Sequence, residues 1–225
     1  SLKPDHVHVK SEFAAEKHGT MQSLYKGYGA TRGRFDGDLR LHVRDEQTPK
    51  GAGDVNYGDG IPVGNMIVGR VVGVGDEVDE LREGDRVCFF SPFREETHAP
   101  ASGCWKLDED TPWQSAVCLD PADFAYGAIR DGHVRLGDVV AVSGLGAIGL
   151  MVVRLAVLAG AAEVVASDPI ESRREIAAKL GATATLDPGR QDVGLEVKRL
   201  SANRGADVSI DFSGAMQALQ AAIRG

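Results

Sequence analysis

Gly144-Leu145-Gly146-Ala147-Ile148-Gly149 is the stretch whose residue types and spacing most plainly suit a chemical task. It reads GxGxxG, and glycines at these intervals let backbone amides approach a pyrophosphate that no side chain crowds. In a chain with 28 glycines the string alone says little, and a ligand-free strand-to-helix turn would look similar. Its context decides: an apolar run, GDVVAVSG at 137–144, precedes it, and an apolar-faced helical run, IGLMVVRLAVLAG at 148–160, follows. In that setting Gly144 permits the tight turn, Gly146 the close approach and Gly149 the helix–sheet packing. The backbone of Leu145, Ala147 and Ile148 completes a cradle at the positive end of a helix. Asp168, 24 residues beyond Gly144, lies where a carboxylate accepts the adenosine ribose hydroxyls and repels a 2′-phosphate. The expected cofactor is therefore NAD rather than NADP. Arg173 and Arg174 complicate this, because a guanidinium can hold a phosphate. Their plain alternative is a solvated helix face, and Arg173 is kept in the cofactor-binding set.

The elements that must position this loop alternate in type. Strands are expected at 137–144, 163–168, 183–186 and 206–214, and helices at 148–160, 171–181, about 193–201 and 216–224. That order means a doubly wound parallel sheet. The first half has another texture, with short β-branched runs at 6–10, 38–43, 66–74 and 85–90 between glycine and proline turns. It reads as a mostly antiparallel, barrel-like β domain. The stretch 27–64 reads as long loops around at most one strand. The expected division is a substrate domain at 1–113 and a nucleotide domain at 114–225.

Composition narrows the partners. The balance of 25 basic against 33 acidic residues, net −8, leaves no basic footprint for nucleic acid or an anionic membrane. Three cysteines without a CxxC pair, Cys88, Cys104 and Cys118, fit a reducing compartment and exclude a disulfide scaffold. The longest uncharged run, Val139 to Val153, is shorter than the roughly 18–20 residues a spanning helix needs. The N-terminal residues have no apolar run of signal-peptide length. A cytoplasmic protein that handles a small molecule is the expectation.

GRVVGVGDEVDELREGDRV at 69–87 resembles the GxVxxVGxxVxxxxxGDRV stretch of the medium-chain dehydrogenases/reductases, the family of zinc alcohol, sorbitol and threonine dehydrogenases. The order of a β domain followed by GLGAIG agrees, and ADVSIDFSG at 206–214 resembles the family's fourth nucleotide-domain strand. The resemblance implies a GroES-like β-barrel domain followed by a Rossmann sheet, with Ser213 added to the cofactor-binding set. Against the family pattern the chain is short at both ends, which suggests a fragment; a complete chain would be expected to form a homo-oligomer.

The metal positions depart from the pattern. The segment matching the first zinc-ligand stretch is His18-Gly19-Thr20-Met21. The one matching Gly-His-Glu is Gly64-Asn65-Met66, and the junction carboxylate matches Asp120 before Pro121. Catalytic zinc takes three nitrogen, sulfur or carboxylate ligands; Asn65 and Met66 are poor ones, and the four-cysteine structural lobe is absent. The pattern resembles a zinc-free branch that includes the dehydrogenase of bacteriochlorophyll synthesis, so no metal site is expected. Without zinc, side chains must take the alcohol proton and stabilise the alkoxide. His18 is the candidate base, since imidazole titrates near neutral pH. Thr20 matches the family's relay hydroxyl, and Asp120 would orient His18 or bind a substrate hydroxyl. A capping or core role is the alternative for His18. His98 is expected in a solvent-facing loop, Cys118 as an inert thiol, Tyr126 in packing, and Trp105 and Trp113 in the core or at the junction.

The leading expectation is an NAD-dependent dehydrogenase of a secondary alcohol: a polyol, sugar or hydroxylated ring. Two alternatives remain at this point: a zinc-free enoyl- or quinone-type reductase, and a catalytically idle NAD-binding module.

Overall fold

The computed structural model describes residues 1–17, 19, 21, 33–44 and 63–225. The chain divides into two compact units, Ser1–Val117 and Cys118–Gly225.

The first unit is built on strands β1 (His6–Ala15), β4 (Met66–Val74), β5 (Arg86–Phe90), β6 (Glu96–Pro100) and β7 (Trp105–Lys106), in the order β6-β1-β4-β5-β7. Every described pairing among them is antiparallel. Alternation along β1 sends Val7 and Val9 inward, where they meet Ile67, Val71, Leu81, Val87, Phe89 and Ala99. Strand β4 is covered on both faces. Met66 and Val68 point the other way, into a second cluster with Cys88, Ala116 and Val117. The short helix α1 (Trp113–Ala116) supplies part of that cluster, which is why the first unit runs past residue 113. Gly69 lets β1 and β4 close up, because a Cβ there would stand 2.5 Å from the Lys10 carbonyl oxygen. The register of the pair shifts just beyond, between Ser11 and Phe13.

Ion pairs around one buried arginine tie this sheet's margin. Arg86, almost fully buried, donates to the Thr111 carbonyl at 2.7 Å and lies 3.4 Å from a Glu12 carboxylate oxygen. The other Glu12 oxygen accepts from Arg70, whose guanidinium also forks onto Glu109 at 2.8 and 2.9 Å.

Three expectations need correction here. Residues 33–44 hold two strands rather than one, β2 (Gly33–Asp36) and β3 (Leu41–Arg44), paired as a hairpin. Its turn is organised by Asp36, whose carboxylate accepts from the amides of Asp38 and Leu39. His98 lies in strand β6, directly opposite His8. The ETHAP segment is an edge strand whose side chains do not alternate enough to announce it. Trp105 is exposed and stacks edge-on against Phe90, whereas Trp113 lies parallel to Phe13 at 4.7 Å.

The second unit is a parallel sheet of β8 (Val139–Ser143), β9 (Glu163–Ser167), β10 (Ala184–Leu186) and β11 (Val208–Asp211), in the order β10-β9-β8-β11. Helix α2 (Leu119–Asp131) precedes β8, and α3 (Ala147–Leu158), α4 (Glu171–Leu180), α5 (Val193–Leu200) and α6 (Met216–Arg224) follow the strand–helix alternation expected of the sequence. The fold class is α/β, doubly wound, preceded by an antiparallel β unit. Strand β8 is buried along its whole length, as a central parallel strand must be. Val140, Val142, Val152, Val153, Val164 and Ala166 form the core between β8, β9 and α3. Each such valine contributes about 1.5–3 kcal/mol by leaving water. Strand order reverses between β8, with β9 and β10 on one side, and β11 on the other; ligands bind at such a switch point, beyond the strands' C-terminal ends. Among the described residues no helix is long and apolar enough to cross a membrane.

Candidate dinucleotide site

Strand β8 ends at Ser143, and the chain turns at once through Gly144, which has φ +85°. A side chain there would be strained, and its Cβ would stand 2.5 Å from the Ser213 nitrogen. Gly144 N donates to the Ser167 carbonyl at 2.8 Å, which pins the turn to the end of β9. Three residues into α3, Gly149 packs against the Gly144 carbonyl so closely that a Cβ would overlap it. The middle glycine differs. Gly146 caps α3 with no side-chain acceptor for the first helical amides, and nothing lies within 4 Å of where its Cβ would be. Uncapped amides at the positive helix end, facing open space, suit an anionic group. Leu145 is fully buried, while Ala147 and Ile148 form the helix's first turn.

Asp168 directly follows β9 and is 3% exposed. One carboxylate oxygen accepts from Leu145 N at 2.8 Å, inside the glycine loop. The other accepts from Ile170 N at 2.8 Å. Arg173 Nη1, on α4, stands 3.4 Å from the first oxygen. Loop and carboxylate therefore form one unit, with the acid presented at the loop's edge. Beneath them the Ser143 and Ser167 hydroxyls meet at 3.2 Å, satisfying two buried polar groups at the strand ends. Ser213 contributes backbone to the wall beside Gly144, and its hydroxyl accepts from Ala215 N at 3.0 Å.

Two groups the sequence reading left out or set aside belong to the same neighbourhood. Arg174 is largely buried, not solvated. Its Nη1 donates to the Asp168 carbonyl at 2.6 Å, and its Nη2 lies 3.6 Å from Asp187 at the end of β10. Asp187 was detectable only as an acid closing the third strand, at the same strand-end level as Asp168.

The catalytic candidates are less fully described. His18 and Thr20 lie outside the described residues. Asp120 is buried in the first turn of α2. Met66 is fully buried in the apolar cluster with Val68 and Cys88, so its thioether serves packing and does not suit a zinc site. Among the described residues no three of His, Cys, Asp and Glu are grouped to hold a metal ion. His98 is exposed, with its ring 4.9 Å from that of His8, which in turn contacts Glu96 at 3.1 Å. Burial, with the nearby Cys88 adding to it, pushes the Cys104 thiol up to about 11. Cys118 is half-buried, and Tyr126 is exposed beneath the Arg130 guanidinium at 5.9 Å.

Comparison with known proteins agrees with this architecture. A family model described as zinc-binding dehydrogenase matches residues 147–225. The chain is 38% identical over 230 residues to D-guloside 3-dehydrogenase of Escherichia coli K12, covering all of this chain and 65% of that protein. It is 32% identical over 182 residues to L-threonine 3-dehydrogenase of Caldanaerobacter subterraneus subsp. tengcongensis, covering 68% of this chain and 52% of that one. The solved structure of the alcohol dehydrogenase of Thermus sp. ATN1 superposes with a TM-score of 0.75 at 23% identity, covering all of this chain and 68% of that structure. With the strand–loop–helix geometry and these similarities together, the chain belongs to the medium-chain dehydrogenase/reductase family.

Proposed function

We propose that the chain forms the dinucleotide-binding and substrate-facing parts of an NAD-dependent dehydrogenase. Its substrate class is a secondary alcohol on a sugar, polyol or hydroxylated ring, and it works without catalytic zinc. The observation that carries the cofactor reading is Asp168: a nearly buried carboxylate, bonded to Leu145 N of the glycine loop, at the end of the second parallel strand. Ribose hydroxyls can donate to its remaining lone pairs, whereas a 2′-phosphate would meet its negative charge.

In this reading the amides at the start of α3 hold the pyrophosphate, with Gly146 leaving the space, and Asp168 and Arg173 hold the adenosine end. Bound NAD supplies the acceptor for the hydride that leaves the carbinol carbon. His18 is the proposed base for the hydroxyl proton as the carbonyl forms, Thr20 the proposed relay, and Asp120 a proposed partner for a substrate hydroxyl. The substitution of Asn65 and buried Met66 at two ligand positions supports the zinc-free part. The chain spans 65% of the guloside dehydrogenase, whose name supports a sugar-derived alcohol oxidised at a ring carbon.

The test is protein purified without chelator, analysed for metal by elemental mass spectrometry and assayed for NAD reduction with gulosides, other glycosides and polyols. Zinc well below one per chain, with turnover unchanged by a chelator, is the expected result. Zinc near one per chain, with turnover abolished on its removal, overturns the zinc-free mechanism.

A further inference from the structure

We infer that Asp187 is a second determinant of dinucleotide choice, acting as the counter-ion that keeps Arg174 from serving a 2′-phosphate. The inference rests on the NAD reading above and adds a residue to it. Asp168 and Asp187 end neighbouring parallel strands, and Asp168 N donates to the Leu186 carbonyl, so the two acids stand side by side at the ligand-binding edge of the sheet. Between them reaches Arg174 from α4. One nitrogen holds the Asp168 main-chain oxygen at 2.6 Å; the other lies 3.6 Å from an Asp187 carboxylate oxygen.

These side chains are 16% and 20% exposed, so water screens their charges only in part. Arg190 approaches the same Asp187 oxygen at 3.7 Å but is 86% exposed, and solvent screens it far more. Apart from the solvated Arg190, the corner thus holds two guanidiniums, Arg173 and Arg174, against two carboxylates, Asp168 and Asp187, whose charges balance. Removing the Asp187 charge leaves a net cation beside the position where a 2′-phosphate would arrive. A guanidinium freed of its partner carboxylate binds phosphate readily. Arg174 still braces the Asp168 carbonyl in that state, so the ribose carboxylate keeps its place.

Asp187→Asn is the informative substitution, because the amide oxygen can still accept from Gly189 N at the turn. Dissociation constants for NADH and NADPH are measured by fluorescence titration of the chain and its variants. In Asp187→Asn the preference for NADH over NADPH is expected to fall about tenfold, chiefly through tighter NADPH binding. Asp187→Glu keeps the charge and the original preference. In an Arg174→Gln background the same Asn substitution leaves the ratio unchanged, since the cation it would release is gone. A purely structural role for Asp187 would weaken both dinucleotides together and leave the ratio where it was. An unchanged ratio in Asp187→Asn, or an equal change with Arg174 removed, overturns the inference while leaving the NAD reading intact. A parent chain that binds neither dinucleotide, or prefers NADPH, overturns the NAD reading itself and the inference with it.

Discussion

Two alanine substitutions three residues apart should separate the site from the fold. At Gly149 an added Cβ overlaps the Gly144 carbonyl, and that obstacle is backbone of the same loop, so α3 must lift away from β8. Alanine gains about 1 kcal/mol of helix propensity over glycine, but overpacking against fixed backbone costs about 3 kcal/mol or more. The net loss is about 2 kcal/mol, or roughly 8–16 °C of melting temperature for a unit of about 100 residues. At Gly146 the Cβ meets nothing within 4 Å, and the backbone angles of −75° and −166° are open to alanine. Replacing glycine by alanine at that cap costs about 1 kcal/mol or less. The methyl nevertheless enters the space in front of the first amides of α3. A pyrophosphate displaced from them loses charge-assisted hydrogen bonds of about 1.5–3 kcal/mol each, so NADH binding should weaken about 10- to 100-fold. Thermal unfolding and NADH fluorescence titration on both variants make the check. A Gly146→Ala chain that unfolds as early as Gly149→Ala, or that binds NADH within a factor of about two of the parent, would refute these roles for the two glycines.

Asp168→Asn is expected to destabilise the second unit by about 1–3 kcal/mol, because both carboxylate oxygens accept backbone N–H groups and an amide has one oxygen; urea unfolding reads the loss. Glu12→Gln leaves the nearly buried Arg86 without its carboxylate, and should cost about 1–2 kcal/mol in the same assay, less than a fully buried pair because Glu12 is partly solvated. The Lys106 ammonium at 2.8 Å holds the Asp85 carboxyl below the usual range, helped by the Arg82 amide. A depressed folded value makes this contribution complete well above the ordinary carboxylate range. It is lost as pH falls through about 4 and then through the lower folded value. Asp85→Asn should remove that part of the acid dependence, worth below about 1 kcal/mol for a pair whose lysine is solvated, in urea midpoints compared at neutral pH and near pH 3.

How much of this was legible in the sequence depends on whether local signals carried it. The nucleotide unit announces itself because its buried strands are continuous apolar runs and its helices follow at fixed intervals; MQALQAAIR at 216–224 and EVVAS at 163–167 fall where they were expected. Strand β4 coincides with the MIVGRVVGV run for the same reason. The edge strand at 96–100 gave no such signal, since its pairing with β1 is made by backbone and only Ala99 is buried. Strand β3 overlaps the run expected at 38–43, whereas its hairpin partner β2 hid in a stretch dense in glycine and charge. At the site, the loop and Asp168 follow from spacing, but the burial of Arg174 and its partner Asp187 arises from two adjacent strands and a helix, a relation no linear pattern expresses. Met66 illustrates the converse. Its poor ligand chemistry was readable in the sequence, and its burial among Val68 and Cys88 became visible only with the second face of β4 covered.

The corner built by Gly144–Gly149 and Asp168 is proposed to take NAD in preference to NADP. Titration of the unmodified chain with NADH and NADPH under one buffer condition tests it most directly. Saturable NADH binding with NADPH at least about tenfold weaker is the expected result, the discrimination of a ribose carboxylate facing a 2′-phosphate. Equal or tighter NADPH binding would contradict it.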